Sequence, residues 1–216
     1  MKAAIIALFI LLQVFLLFVA HHDTMGVDSY PNTVPTPNLL GGDRIGQTFM
    51  APSDGLARID VLLGTHARPN DKDIHFKLWE LESARALAAD IVFNASDVRN
   101  NLYRAFRFPP RPKSKGRTYL FELESPASTP SNSIAVWMNT NDVCRDGEFI
   151  FDGRPAGGDL TFRAYARRTV WEELPRISRH GSGVFRSVFL LVAAIFLFEA
   201  AAIALLKKLL DALGKE

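Results

Sequence analysis

Carboxylates at alternate positions come first among the residues that could do chemistry. Glu80 and Glu82, and again Glu122 and Glu124, stand two residues apart. On a strand that spacing puts both groups on one face, and a glycosidase draws its two catalytic carboxyls from such a pair. A solvated strand face shows the same spacing, and that reading is preferred. His21-His22-Asp23 offers metal-ligand types, yet three consecutive residues share no coordination geometry and no further ligand is evident. Asn141, Asp142 and Asp146 could supply oxygen ligands to calcium from the loop 139–147, but without the spacing or terminal glutamate of an EF-hand, so a turn-rich loop is preferred. Asn94-Ala95-Ser96 is a glycosylation sequon. There is no glycine-rich phosphate loop, no Gly-x-Ser-x-Gly elbow and no His-Glu-x-x-His pair. The single cysteine, Cys144, excludes an intramolecular disulfide. A net charge of +2 over 216 residues is too weak for a nucleic-acid footprint. The chain therefore reads as a non-enzyme with no cofactor and no metal.

Aromatic residues make the more promising set. Trp79, Tyr103, Trp137 and Tyr165 each fall on the strand face opposite the clearest core positions. Rings flanked by polar side chains can stack on sugars or receive a partner, so these four are the candidate ligand-binding face. The competing reading is that a loop covers this face and the rings are core.

The elements that must position them are short segments rich in β-branched and aromatic residues, separated by Gly, Pro, Asn and Asp: 45–51, 56–64, 74–82, 87–94, 102–109, 118–125, 133–139 and 160–167. About eight such strands predict an all-β fold, an antiparallel jelly-roll-like β-sandwich. Alternation puts Tyr119, Phe121 and Leu123 on one face against Leu120, Glu122 and Glu124, and Leu160, Phe162 and Ala164 against Thr161, Arg163 and Tyr165. No long amphipathic helix follows a strand, which argues against parallel α/β architecture.

Four short motifs carry a resemblance: Gln47-Thr48-Phe49 opening the first strand, Leu56-Ala57-Arg58-Ile59 the second, Lys115-Gly116-Arg117-Thr118-Tyr119 entering a later one, and Asp159-Leu160-Thr161-Phe162-Arg163 opening the last. The stretch from Gly46 to Arg167 resembles the jelly-roll modules of bacterial exported and surface proteins, which commonly begin with a Gln-x-Phe strand and close with an Asp-Leu-x-Phe-Arg strand. The resemblance implies a fold and a compartment outside the cytoplasm; it implies no activity and carries over no binding residue.

Two apolar runs flank the strands. Residues 3–20 have Gln13 as their one strongly polar residue and about 27 Å of helical reach, which predicts a transmembrane helix; a cleaved export signal is the alternative. Residues 184–206 contain a second run with a single charge inside it, Glu199, and lead into a cytoplasmic amphipathic tail, 207–216. Between them come a Pro-rich tether, 21–38, the sandwich, 39–168, and a connector, 169–183. Lys2 before the first run, with no Lys or Arg from His21 to Asp43, predicts a two-pass protein of the bacterial inner membrane, the sandwich on the periplasmic or extracellular side and both termini cytoplasmic. Gln13, Glu199, Ala200 and Ala204 are the expected intramembrane packing residues, alongside Ala3 and Ala7. The expected partners are the lipid bilayer, a glycan, and a membrane protein reached through the end helices. The expected function is that of an anchored, non-enzymatic module of the cell envelope, carbohydrate-binding or an accessory subunit of a membrane complex. The alternative is a membrane-bound enzyme of envelope polysaccharide metabolism using sandwich carboxylates.

Overall fold

The computed structural model describes residues 2–82, 84–180 and 188–213. The chain divides into two compact units, a helical one formed by Met1–His22 with Arg168–Glu216 and a β unit, Asp23–Arg167. The elements, in chain order, are α1 (Lys2–Val19), β1 (His21–Asp28), β2 (Val34–Pro35), β3 (Arg44–Met50), β4 (Leu56–Gly64), β5 (Asp73–Glu80), β6 (Ala86–Asn94), β7 (Leu102–Arg111), β8 (Thr118–Glu124), β9 (Ala135–Asn139), β10 (Phe149–Phe151), β11 (Arg154–Pro155), β12 (Asp159–Leu160), β13 (Phe162–Thr169), α2 (Val170–His180) and α3 (Val188–Leu213).

The β unit is a sandwich of two antiparallel sheets. One runs β1-β13-β4-β9-β12, with β7 also on β4 and β2 also on β9; the other runs β11-β10-β3-β8-β5-β6. Alternation decides what lies between them. Ile59, Val61, Leu63, Phe106, Phe162 and Ala164 from the first sheet meet Ile45, Phe49, Phe76, Leu78, Tyr119, Phe121 and Leu123 from the second. Phe76 stacks on Phe106 with centroids 4.1 Å apart, and Phe49 lies 5.5 Å from Phe162, so aromatic pairs cross the interior at two places.

One polar cluster also crosses it. Gln47 on β3 and Asp159 on β12 are buried, and the Gln47 amide nitrogen donates to the Asp159 carboxyl at 2.7 Å. The Gln47 amide oxygen accepts from the Leu160 N–H at 2.8 Å, while the backbone N–H groups of Val143 and Cys144 donate to the other Asp159 oxygen at 2.7 and 2.8 Å. Two strands from opposite sheets and the 139–147 loop are thereby tied through two side chains. Gly158 makes the approach possible: it sits at φ +79°, and a Cβ there would stand 2.3 Å from the Asn139 carbonyl oxygen.

The predicted tether, 21–38, contains β1 and β2. Ser29 is buried, donates its hydroxyl to the Leu160 carbonyl and accepts from the Phe162 N–H at 2.8 Å, which binds the segment to the sandwich. Its prolines fall between strands or on the two-residue β2, where a missing N–H is tolerated. The predicted connector, 169–183, contains α2. Thr169 and Glu172 form a reciprocal cap at its start: the Glu172 carboxyl accepts from the Thr169 N–H at 2.9 Å and the Thr169 hydroxyl from the Glu172 N–H at 3.2 Å. That capping signal outweighs Pro175, which lies inside the helix.

The flanking transmembrane helices require correction. Among the described residues no helix is long and apolar enough to cross a membrane. A span needs roughly 20 consecutive, predominantly apolar residues in one helix. The two-pass placement in a bacterial inner membrane, with its assignment of both termini and of the sandwich to opposite sides, is withdrawn with them.

Replacing Asp159 by Ala removes the acceptor of the Val143 and Cys144 N–H groups and of the Gln47 amide, which keeps only the Thr48 carbonyl. An unmade buried bond costs about 1–3 kcal/mol, so Asp159→Ala should lower unfolding stability by about that amount. Chemical denaturation followed by tryptophan fluorescence measures this, and a loss below about 0.5 kcal/mol would show that the cluster does not hold the sheets.

Candidate functional site

The outward face of the first sheet is a checkerboard of rings and charges. On β4 the side chains alternate, so Ile59 and Val61 point inward while Arg58, Asp60 and Leu62 point out. Register places Tyr165 beside Arg58, Arg163 beside Asp60, Tyr103 beside Leu62 and Arg107 beside Arg58. The Arg58 guanidinium lies 4.4 Å from the centre of the Tyr165 ring, and that of Arg163 lies 4.3 Å from the Tyr103 ring. Arg58 grips Asp60 with two parallel hydrogen bonds, Nε to Oδ1 at 2.6 Å and Nη2 to Oδ2 at 2.5 Å. Asp23 accepts from Arg107 at 2.6 Å and from Arg58 at 3.3 Å, and Asp28 accepts from Arg163 at 3.3 Å.

Trp137 joins this face from β9. Its indole N–H donates to the Asn101 side chain at 2.9 Å, reaching across β4 at Gly64, where a Cβ would stand 3.3 Å from the indole nitrogen. The Tyr103 hydroxyl is shielded from solvent and has no hydrogen-bond partner. Burial pushes this phenol above its ordinary pKa, against the opposing pull of the Arg163 charge. Tyr103, Trp137 and Tyr165, three of the four aromatic residues singled out from the sequence, thus share one face.

Trp79 does not join them. It lies on β5 in the second sheet, outward-facing beside Leu120, with the Arg85 guanidinium 4.2 Å from its ring centre. Arg85 also pairs with Glu122, so the segment after β5 folds over this face and buries Leu120 and Glu122. The solvated face expected for the alternate carboxylates is accordingly half covered. Glu80 is held by Arg111 and Arg117, Glu124 by Lys77, and Glu82 accepts from the Thr118 N–H. No group of His, Cys, Asp and Glu suited to a metal stands among the described residues. Asp23, the carboxylate of the His-His-Asp sequence, is engaged by arginines as above.

Among the residues assigned to helix packing, Glu199 and Ala200 line an apolar cavity in the helical unit, while Ala204 is not among its lining residues. The side chains of Gln13, Ala3 and Ala7 lie outside the described residues. Sequence reasoning missed Arg58, Asp60, Arg107 and Arg163. The available signal was Arg58-x-Asp60, opposite charges at strand period beside a predicted edge of aromatic positions, but the partners Asp23 and Arg107 are too distant in sequence to be joined by pattern.

Neither a protein-family model nor a curated protein matches this chain.

Burial raises the Asp23 carboxyl, and the hydrogen bonds and charges of Arg107 and Arg58 more than reverse this, so its pKa lies below the ordinary value. A depressed carboxyl contributes stability that is fully present above the unfolded value near pH 4 and lost as pH falls through the folded value. Thermal stability should therefore fall as the pH drops below about 4, and Asp23→Asn should flatten that decline. An unchanged profile in Asp23→Asn would disprove the contribution. Burial, with the nearby charges of Asp159, Asp146 and Asp142, pushes the Cys144 thiol up to about 12. Cys144 should therefore resist alkylation at about pH 8 in the folded chain and react freely in denaturant, a difference read directly by mass spectrometry.

Proposed function

We propose that the β unit is a non-enzymatic binding module whose first-sheet face takes a glycan. The observation that carries the reading is the juxtaposition of Tyr103 and Tyr165 with Arg163, Arg58 and Asp60, next to a Tyr103 hydroxyl that is shielded yet unpartnered. A pyranose presents an apolar C–H face and a rim of hydroxyls; rings meet the first, and guanidinium groups meet the second. The carboxylates available to a hydrolase are engaged by Arg85, Arg111, Arg117 and Lys77, which favours binding over bond cleavage.

A second role has its own support. In the helical unit Leu197 and Phe198 are 72% and 73% exposed, large apolar side chains of the kind found at interaction surfaces. The module is on this reading an accessory subunit, attached through its helices to an apolar partner and presenting the sandwich to the glycan.

An array of neutral and acidic oligosaccharides, followed by calorimetry on the best binder, tests the glycan reading. Tyr103→Ala and Trp137→Ala should each weaken binding about tenfold, the order expected for one aromatic contact, while Trp79→Ala on the other sheet should leave it unchanged. Failure of every oligosaccharide to bind, or equal loss in all three variants, would overturn the reading.

A further inference from the structure

The helical unit holds a partly open apolar cavity of about 470 Å³. That volume lies within the range of roughly 300–1,000 Å³ typical of small-molecule sites. Val14 and Phe18 of α1, Trp171 of α2 and Ile195 and Ile203 of α3 supply apolar walls. The Phe18 and Trp171 rings pack with centroids 5.3 Å apart at one side. Among the described residues the cavity wall carries one ionisable side chain, Glu199, and its Oε2 is shielded from solvent with no hydrogen-bond partner among them.

An apolar cavity with a lone orphaned carboxyl oxygen has a definite chemical preference. A purely aliphatic occupant would fill the walls and leave the oxygen unpaired, at the cost attached to any buried unsatisfied acceptor. An anionic amphiphile would set charge against the carboxyl group. A cationic one satisfies both requirements, its chain against the apolar walls and its ammonium donating to Oε2 with the opposite charge. Ala200, also in the cavity wall, adds only a methyl group to it.

We propose that this cavity is a binding site for a single-chain amphiphile bearing an amine head group, with Glu199 as its polar anchor. The site is separate from the glycan face of the β unit, and its test is independent of that reading.

The probes are undecylamine, undecanol and undecanoic acid, each carrying a terminal bromine, which quenches an indole on contact. They are titrated into the full chain and read by tryptophan fluorescence, with Trp171→Phe identifying the part of the signal that belongs to the cavity. The amine should quench Trp171 at a concentration at least tenfold below that of the acid. Glu199→Gln should remove about tenfold of the amine's affinity and leave the alcohol's unchanged, which also shows that the cavity remains formed. Ala200→Trp, filling the space, should abolish quenching by amine and alcohol alike. The proposal is overturned if the acid binds as well as the amine, if Glu199→Gln retains the amine preference, or if Ala200→Trp binds all three as before. Should Glu199→Gln fail to fold, the amine-to-acid ratio in the unaltered chain and its loss in Ala200→Trp decide the matter.

Discussion

The hydrogen bond between Gln47 and Asp159 is the constraint on which the β unit turns. Two sheets packed through apolar side chains could slide relative to one another at little cost, since hydrophobic contact is not directional. A buried amide and a buried carboxyl allow no such freedom, because any displacement leaves strong polar groups unpaired. Asp159 satisfies its two oxygens with Gln47 and with the Val143 and Cys144 N–H groups, and Gln47 turns its remaining oxygen to the Leu160 N–H. The cluster sets the register of β3 against β12. It also places Phe49 against Phe162, two residues beyond Gln47 on one side and three beyond Asp159 on the other.

That register reaches the outer face. Phe162 is fixed inward, so Arg163 and Tyr165 emerge outward, and pairing with β4 brings them beside Asp60 and Arg58. β7, on the other side of β4, contributes Tyr103 and Arg107. Arg58 and Arg163 each act twice, once over a ring and once against a carboxyl, which holds these long side chains in place. Preorganised groups lose less entropy on binding than free ones. The face is thus prepared as a surface by the same β-strand alternation that builds the core.

The helical unit follows different rules. Its start at α2 is specified locally, by the Thr169–Glu172 cap. Its interior is specified by the meeting of three helices around a space they do not fill. A void among packed side chains forfeits dispersion contacts, and an orphaned carboxyl in its wall adds a desolvation cost.

Local periodicity was enough to read the sandwich. The period-two pattern of 119–124 and 160–165 identified the inward residues of β8 and β13, and Tyr119, Phe121, Leu123, Leu160, Phe162 and Ala164 are all buried in the core cluster. What periodicity cannot carry is which strand lies beside which. Alternation alone put Trp79 with Tyr103, Trp137 and Tyr165, because all four point away from the core, and only the division into two sheets separates Trp79 from the others. The arginine partners were hidden for the same reason: Asp23 and Arg107 are 84 positions apart. The segment 21–38 read as a tether because its prolines break local pattern, whereas Ser29 finds its partners at Leu160 and Phe162, more than 130 positions away. Apolar runs at the two ends were legible as helices from composition, but composition did not settle what those helices do; Glu199 acquires its meaning only where α1 and α2 close a cavity around it. The sequence determined the inward sides of β8 and β13, since that depends on neighbours two residues away. Tertiary structure alone decided the outer aromatic face and the cavity, because both are made by side chains that the chain brings together from distant positions.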